Sequence, residues 1–398
     1  MGLKVTFKIN IDSIIAVALL FLLVVPEGLY NLAPGFYNFV YTYCQALGFL
    51  VISFWWIIKI RVTEKNDLPY YAIAVLFCVY LLCRTIWQGG DLLYTYTIIS
   101  PCFISFALVS IYKNKLKTLI LSLLFVLEFW IYLNLIFMVL YPDGMYYVIA
   151  SNSNLAWLFG YKSSFQYFIF PALGLGWLHL SYGGKKFHTI ILFVVCFVET
   201  MLCQNKMLLI GVIVFFVFLI FRLADKRIFN MRNYFIVIIT ANILFIFFTT
   251  ALVNTPMMSL FLNALGKGND LSYRAIIWPA TIDYISKHLV LGWGLLRASE
   301  RASMYGLHDV AHAHNQLLEL FFLGGIVLVQ LFAQMLLQII AKAMKYRELA
   351  STKVLASTVF LIFIMVIVEV FTRRIGAPMW MMIFLTYYCD RVDSSYKK

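Results

Sequence analysis

LSYRAIIWPATIDYISKHLVLGWGLLRASERASMYGLHDVAHAHNQLLELFFLGGIVLVQLF, residues 271–332, decides the reading of this chain. It concentrates Arg, His, Asn and Gly between two hydrophobic runs. It is the one place where the chain leaves its apolar pattern for long enough to build a site. The regions on either side read as membrane.

The chain has 398 residues, of which 63% are apolar and 12% charged, with a mean hydropathy of +0.89. Its apolar runs approach the roughly 20 residues that a helix needs to cross a bilayer. This composition predicts an all-α polytopic membrane protein and argues against a soluble helical core. The first run lacks a small-residue cleavage site and follows a short basic tail (Lys4, Lys8). It therefore reads as a retained span. The net charge of +13 does not point to nucleic acid, because most basic residues fall in short clusters between apolar runs, as in cytoplasmic loops. The cysteines lie in or at the ends of apolar runs without CxxC spacing, which gives no support to a disulfide or metal framework.

Twelve spans are expected, at about 12–30, 36–58, 69–88, 92–112, 118–140, 164–182, 189–203, 206–222, 233–251, 312–340, 354–372 and 375–389. Placing the basic loops inside puts both termini in the cytoplasm. Two outer segments exceed turn length, 141–163 and 252–311. With no internal repeat or soluble stretch, residues 1–398 read as a single integral membrane domain with an external cap.

Several basic residues break the inside rule. Arg84 nears the outer end of the third span, Lys206 sits in the QNKM turn, and Arg373 and Arg374 mark the turn before the last span. With Arg274, Arg297 and Arg301 they could form an outer electropositive pocket for a lipid-borne phosphate or pyrophosphate, since guanidinium forks match phosphate oxygens. The competing reading is that they snorkel to headgroups. Glu128, Glu199 and Glu369 are intramembrane carboxylates that pair with these bases or form a proton path; pairing is the simpler expectation.

Within the opening stretch, Asn269 and Asp270 precede Ser272, a helix N-cap. The following helix sets Ile276, Ile277, Ala280 and Tyr284 along one side, bent by Pro279. Leu291 to Gly294 reads as a tight turn where backbone approaches a ligand. His308, His312 and His314 have a spacing that permits zinc. The preferred reading is different: His314 and Asn315 open the tenth span and face the basic pocket, where an imidazole takes a hydroxyl proton or steadies a leaving phosphate. No metal is expected.

The order Arg274, Trp278, Gly292-x-Gly294, His314-Asn315-x-x-Leu318 and Gly324-Gly325 resembles the O-antigen polymerase and O-antigen ligase superfamily of bacterial polysaccharide assembly. Asn134 with Tyr141-Pro142-Asp143-Gly144, Gly160 to Ser164 followed by Pro171, and QNKMLLIG echo the same family, although Lys206 stands where Arg is usual.

The resemblance implies a fold similar to C-type glycosyltransferases and glycosyl transfer at the outer face of the bacterial cytoplasmic membrane. The donor would be an undecaprenyl pyrophosphate-linked oligosaccharide, with no metal or nucleotide cofactor. By motif, Arg274 would hold pyrophosphate and His314 would activate the acceptor hydroxyl or organise the leaving group. Lys206, Arg373 and Arg374 are further phosphate contacts placed by topology, with Arg84, Arg297, Arg301 and Asn315 in the wider binding set. The leading expectation is a polymerase acting on lipid-linked repeat units, with a chain-length regulator and a flippase as partners. The alternatives are a ligase to lipid A core and a lipid-linked oligosaccharide transporter.

Overall fold

The computed structural model describes residues 10–60, 67–148, 155–251, 270–306 and 312–397. Lys4, Lys8, Asn269, His308 and Asp309 lie outside the described residues. The helices are α1 (Ile11–Leu23), α2 (Leu29–Leu32), α3 (Pro34–Ile60), α4 (Leu68–Trp87), α5 (Leu92–Ile111), α6 (Leu116–Leu140), α7 (Gln166–Ser181), α8 (Lys186–Leu202), α9 (Lys206–Ile220), α10 (Met231–Ala251), α11 (Asp270–Lys287), α12 (Ala298–Met304), α13 (Gln316–Lys345), α14 (Ala350–Met365), α15 (Ala377–Tyr387) and α16 (Cys389–Lys397). A two-residue hairpin, β1 (Ala156–Trp157) with β2 (Gly160–Tyr161), interrupts the helical order.

The protein is an all-α polytopic membrane protein. Among the described residues six helices, α3, α4, α5, α6, α10 and α13, are long and apolar enough to cross a bilayer, and α1, α9 and α14 are shorter apolar helices. Their outward faces keep large apolar groups exposed, such as Phe54, Phe125, Val139 and Ile239. That is the surface a lipid-facing helix presents. Every residue of α15 is buried. A helix that is apolar all round belongs in a core, and α15 packs against α4's neighbour α5 and against α7, α13 and α14.

Three expected spans are interrupted; two end early and supply part of the candidate site, and the third is broken midway. The first helix stops at Leu23, leaving 24–28 irregular. The eleventh stops at Met365, so the apolar stretch from Val366 to Phe371 is not helical. The tenth breaks at Gly325, which has φ 59 and ψ −158. Apolarity measures burial and says nothing about backbone conformation, so a window of hydropathy runs through all three stops.

The break in α13 has a partner. Trp293 N donates to Phe322 O and Gly294 N to Leu323 O, both at 2.8 Å, while Ile326 N donates to Leu289 O at 2.9 Å. The 289–294 segment thus satisfies the backbone groups that the broken helix leaves open. A Cβ on Gly292 would collide with the Gly324 amide. The close backbone approach read from Gly292-x-Gly294 is real, but what approaches is the broken helix. Arg84 completes the joint by donating from Nε to Gly292 O at 2.9 Å, and Tyr80 OH donates to Gly324 O at 3.0 Å.

Helix α11 runs unbroken through Pro279 and starts at Asp270, so Ser272 lies in its first turn and does not precede it. Its buried face is Ile277, Trp278, Thr281 and Ile285; Ile276 is half exposed on the other side. The apolar stripe is rotated by about one residue from the expected one, because Trp278, the largest side chain, takes the core position.

Candidate functional site

Five residues, from His312 to Gln316, form the floor of the site. Asn315 caps α13, its Oδ1 accepting from Leu318 N at 3.0 Å. Its Nδ2 donates to Asn242 Oδ1 at 3.0 Å and to Ile367 O at 2.9 Å. Just before the cap, His314 adopts φ 50, a left-handed conformation that is costly for a residue with a Cβ. Its neighbours hold it there. Ala313 N donates to Glu319 Oε2 and Ala313 O accepts from Trp278 Nε1, both at 2.8 Å.

The irregular segment 366–374 lies over this floor. Gln316 N donates to Val366 O at 3.1 Å, and Phe371 N donates to Gln316 Oε1 at 2.9 Å. Arg274 donates to Val368 O at 3.0 Å, and Tyr167 OH donates to Val370 O. Buried backbone outside a helix must find partners, and here side chains from three separate stretches supply them.

This packing brings Glu369 to the histidines. Its Oε1 lies 3.6 Å from His314 Nδ1 and 3.7 Å from His312 Nε2. Burial alone would raise the Glu369 carboxyl, but His314, His312 and Arg373 outweigh it and hold it below the ordinary carboxylate range. His312 is pushed well below the ordinary imidazole value, first by burial and then by His314, so it stays neutral. His312 Nδ1 accepts from His314 N at 3.3 Å. Its proton is therefore on Nε2, the nitrogen facing Glu369.

Arg373 extends the cluster. It bonds Glu27 Oε1 at 3.1 Å, and Glu27 Oε2 accepts from Ser164 Oγ at 2.5 Å. The same segment reaches the QNKM turn, since Asn205 Nδ2 donates to Lys162 O at 2.9 Å. Asn205 caps α9, and Lys206, the next residue, is exposed.

The structure thus gathers His314, Arg274, Arg373 and Asn315 around one segment, whereas Lys206 is exposed at the start of α9. The other basic residues of the expected pocket are engaged elsewhere. Arg301 is 2% exposed and forks onto Glu319 at 2.7 and 2.5 Å. Arg84 clamps Gly292. Arg297 is exposed at the N-cap of α12. Arg374 turns away from Arg373: its guanidinium reaches Tyr41 O and stands 4.8 Å from the Tyr37 ring centre. Asn315 is fully buried, with both ends of its amide occupied.

Of the three carboxylates, only Glu369 meets the expected bases. Glu128 faces His188 at 3.2 Å, and Glu199 accepts from Asn134 at 2.9 Å. Glu27 was not legible as a site residue. Its only signal is a lone charge in Pro26-Glu27-Gly28 at the end of an apolar run.

His312, His314 and Glu369 offer three metal-ligating atoms within 4.8 Å of one another. A cation there would have to displace the Nε2 proton of His312 and sit close to the Arg373 charge. The donor set fits a proton-handling cluster better than a metal cage.

Residues 190–333 match a family described as O-antigen ligase. The resemblance to the O-antigen polymerase and ligase superfamily read from 271–332 is borne out. The matched region contains Lys206, Arg274 and His314, and ends before Glu369 and Arg373. No curated protein matches the chain.

Proposed function

We propose that this protein is a polysaccharide polymerase that transfers a polyprenyl pyrophosphate-linked glycan onto a sugar hydroxyl of a lipid-linked repeat unit, at the outer face of a bacterial cytoplasmic membrane. The observation that carries it is the Glu369–His314 contact, 3.6 Å from carboxylate to Nδ1, lying beside Arg274 and Arg373. The buried Nδ1 faces the carboxylate and keeps its proton, which leaves Nε2 to act as a base. In the transfer, His314 Nε2 takes the proton of the acceptor hydroxyl. The hydroxyl oxygen bonds the anomeric carbon as the bond from that carbon to the pyrophosphate oxygen breaks. Arg274, Arg373 and Lys206 hold the departing negative charge. This chemistry needs no nucleotide, because the donor arrives activated.

The ligase reading uses the same bond chemistry, and the family match supports either one. The transporter reading gains no support from the match or from the site. Purified protein given lipid-linked repeat units alone separates the first two. A ladder of products supports the polymerase. Product only when a lipid A core acceptor is added supports the ligase. No new glycosidic bond under either condition overturns both.

A further inference from the structure

We infer that Glu27 is an internal occupant of the anion site, a carboxylate that covers Arg373 until a phosphate-bearing ligand displaces it. This rests on the reading of Arg373 as a phosphate contact.

Arg373 stands between two carboxylates, Glu27 and Glu369, which together with Tyr167 hold its guanidinium charged against burial. They differ in accessibility. Glu369 has a side-chain exposure of 7%, is fixed by the histidines and accepts from Val370 N. Glu27 has a side-chain exposure of 39% and belongs to the short irregular link after α1. Its carboxylate is held by Arg373 at 3.1 Å and by Ser164 Oγ at 2.5 Å. A phosphate oxygen that takes the guanidinium N–H now held by Glu27 Oε1 displaces the carboxylate. Glu369 cannot leave without breaking the histidine cluster, whereas Glu27 can swing toward solvent.

The physical consequence is a population cost. A ligand that binds only the uncovered Arg373 has its apparent affinity reduced by the uncovered fraction. The same competition helps the spent pyrophosphate to leave, because the carboxylate takes back the guanidinium. Glu27 therefore tunes how tightly the site keeps its anion, and it comes from the opposite end of the chain to the group it covers.

The test is the binding of inorganic pyrophosphate to the full-length protein in detergent, by calorimetry, with each variant first shown to be folded by size exclusion. Glu27→Gln removes the competing charge while retaining a hydrogen-bonding side chain. It should tighten pyrophosphate binding by about threefold to tenfold. Ser164→Ala releases the second hold on Glu27 without altering any charge and should shift affinity in the same direction; it decides the matter if Glu27→Gln does not fold. Unchanged or weaker binding in the folded variants overturns the inference. Arg373→Gln should abolish the gain. If Arg373→Gln binds pyrophosphate as wild type does, then Arg373 is no phosphate contact, and the assignment of the anion site falls with it.

Discussion

Glu319 accepts from Arg301 through both carboxylate oxygens and from the amide of Ala313 through one of them. A buried ion pair on α12 and α13 is thereby tied to the backbone between the two histidines. The Arg301 guanidinium also stands 4.2 Å from the Phe322 ring centre and bonds Tyr305 OH. Removing one member leaves the other charge buried and alone. Glu319→Ala should cost about 3–5 kcal/mol, read as a lowered thermal midpoint in detergent. The double replacement Arg301→Met with Glu319→Leu should recover part of that loss and not all, since Ala313 N still lacks its acceptor. Full recovery would show that the Ala313 link is unimportant.

His314→Ala should slow glycosyl transfer by about 10²–10⁴-fold, the usual worth of a positioned base, while membrane insertion is kept. Arg274→Ala should also abolish long-chain product. Glu369→Gln should lose less rate than His314→Ala, because it removes the carboxylate facing Nδ1 and leaves the imidazole in place. A folded Glu369→Gln variant as slow as His314→Ala would show that the carboxylate does more than orient the ring.

Stability should fall on acidification. His312 is held below its ordinary value of 6.5, so below that pH the unfolded chain binds a proton that the folded chain refuses. Glu369 acts in the same direction: its carboxyl is depressed from 4.5, and the stability it contributes is lost as pH drops below that value. Both groups make stability rise with pH in the acid range. Thermal midpoints between pH 7.5 and 5 should decline, and His312→Gln should flatten the upper part of that slope.

Chelation should leave transfer intact. If dialysis against EDTA removes activity and zinc restores it, then His312, His314 and Glu369 hold a metal after all, and the proton-transfer role of His314 is wrong.

Gly292→Ala should destabilise the protein by about 1–3 kcal/mol, since the glycine has φ +71 and an added Cβ meets the Gly324 amide. Gly183 is the control: its φ is +80, yet nothing lies within 4 Å of an added Cβ. Gly183→Ala should bear the conformational cost alone. Equal losses at both would deny the glycine joint any packing role.

The membrane class and most of the helix order were legible because long apolar runs report transfer out of water, a local and additive property. His314 and Arg274 were legible because polar groups are conspicuous in such a background. The stops at Leu23, Met365 and Gly325 were not legible. Apart from Glu369, Val366 to Phe371 reads like the apolar end of a helix, and its irregular backbone is held because Gln316, Arg274, Asn315 and Tyr167 reach in from elsewhere.

By itself, then, the sequence determined the solvent each segment prefers, the helical class and the stretch where polar chemistry gathers, since these follow from side-chain polarity and its spacing. Only the tertiary structure decided which cations are tied up elsewhere and which lie in or against the segment that carries Glu369 to the imidazole. Arg301 and Arg84 look no different in sequence from Arg274 and Arg373. Their roles diverge because a charge takes its meaning from the partner that folding places within hydrogen-bond reach: Glu319 for Arg301, Gly292 for Arg84, and the segment around Glu369 for the other two.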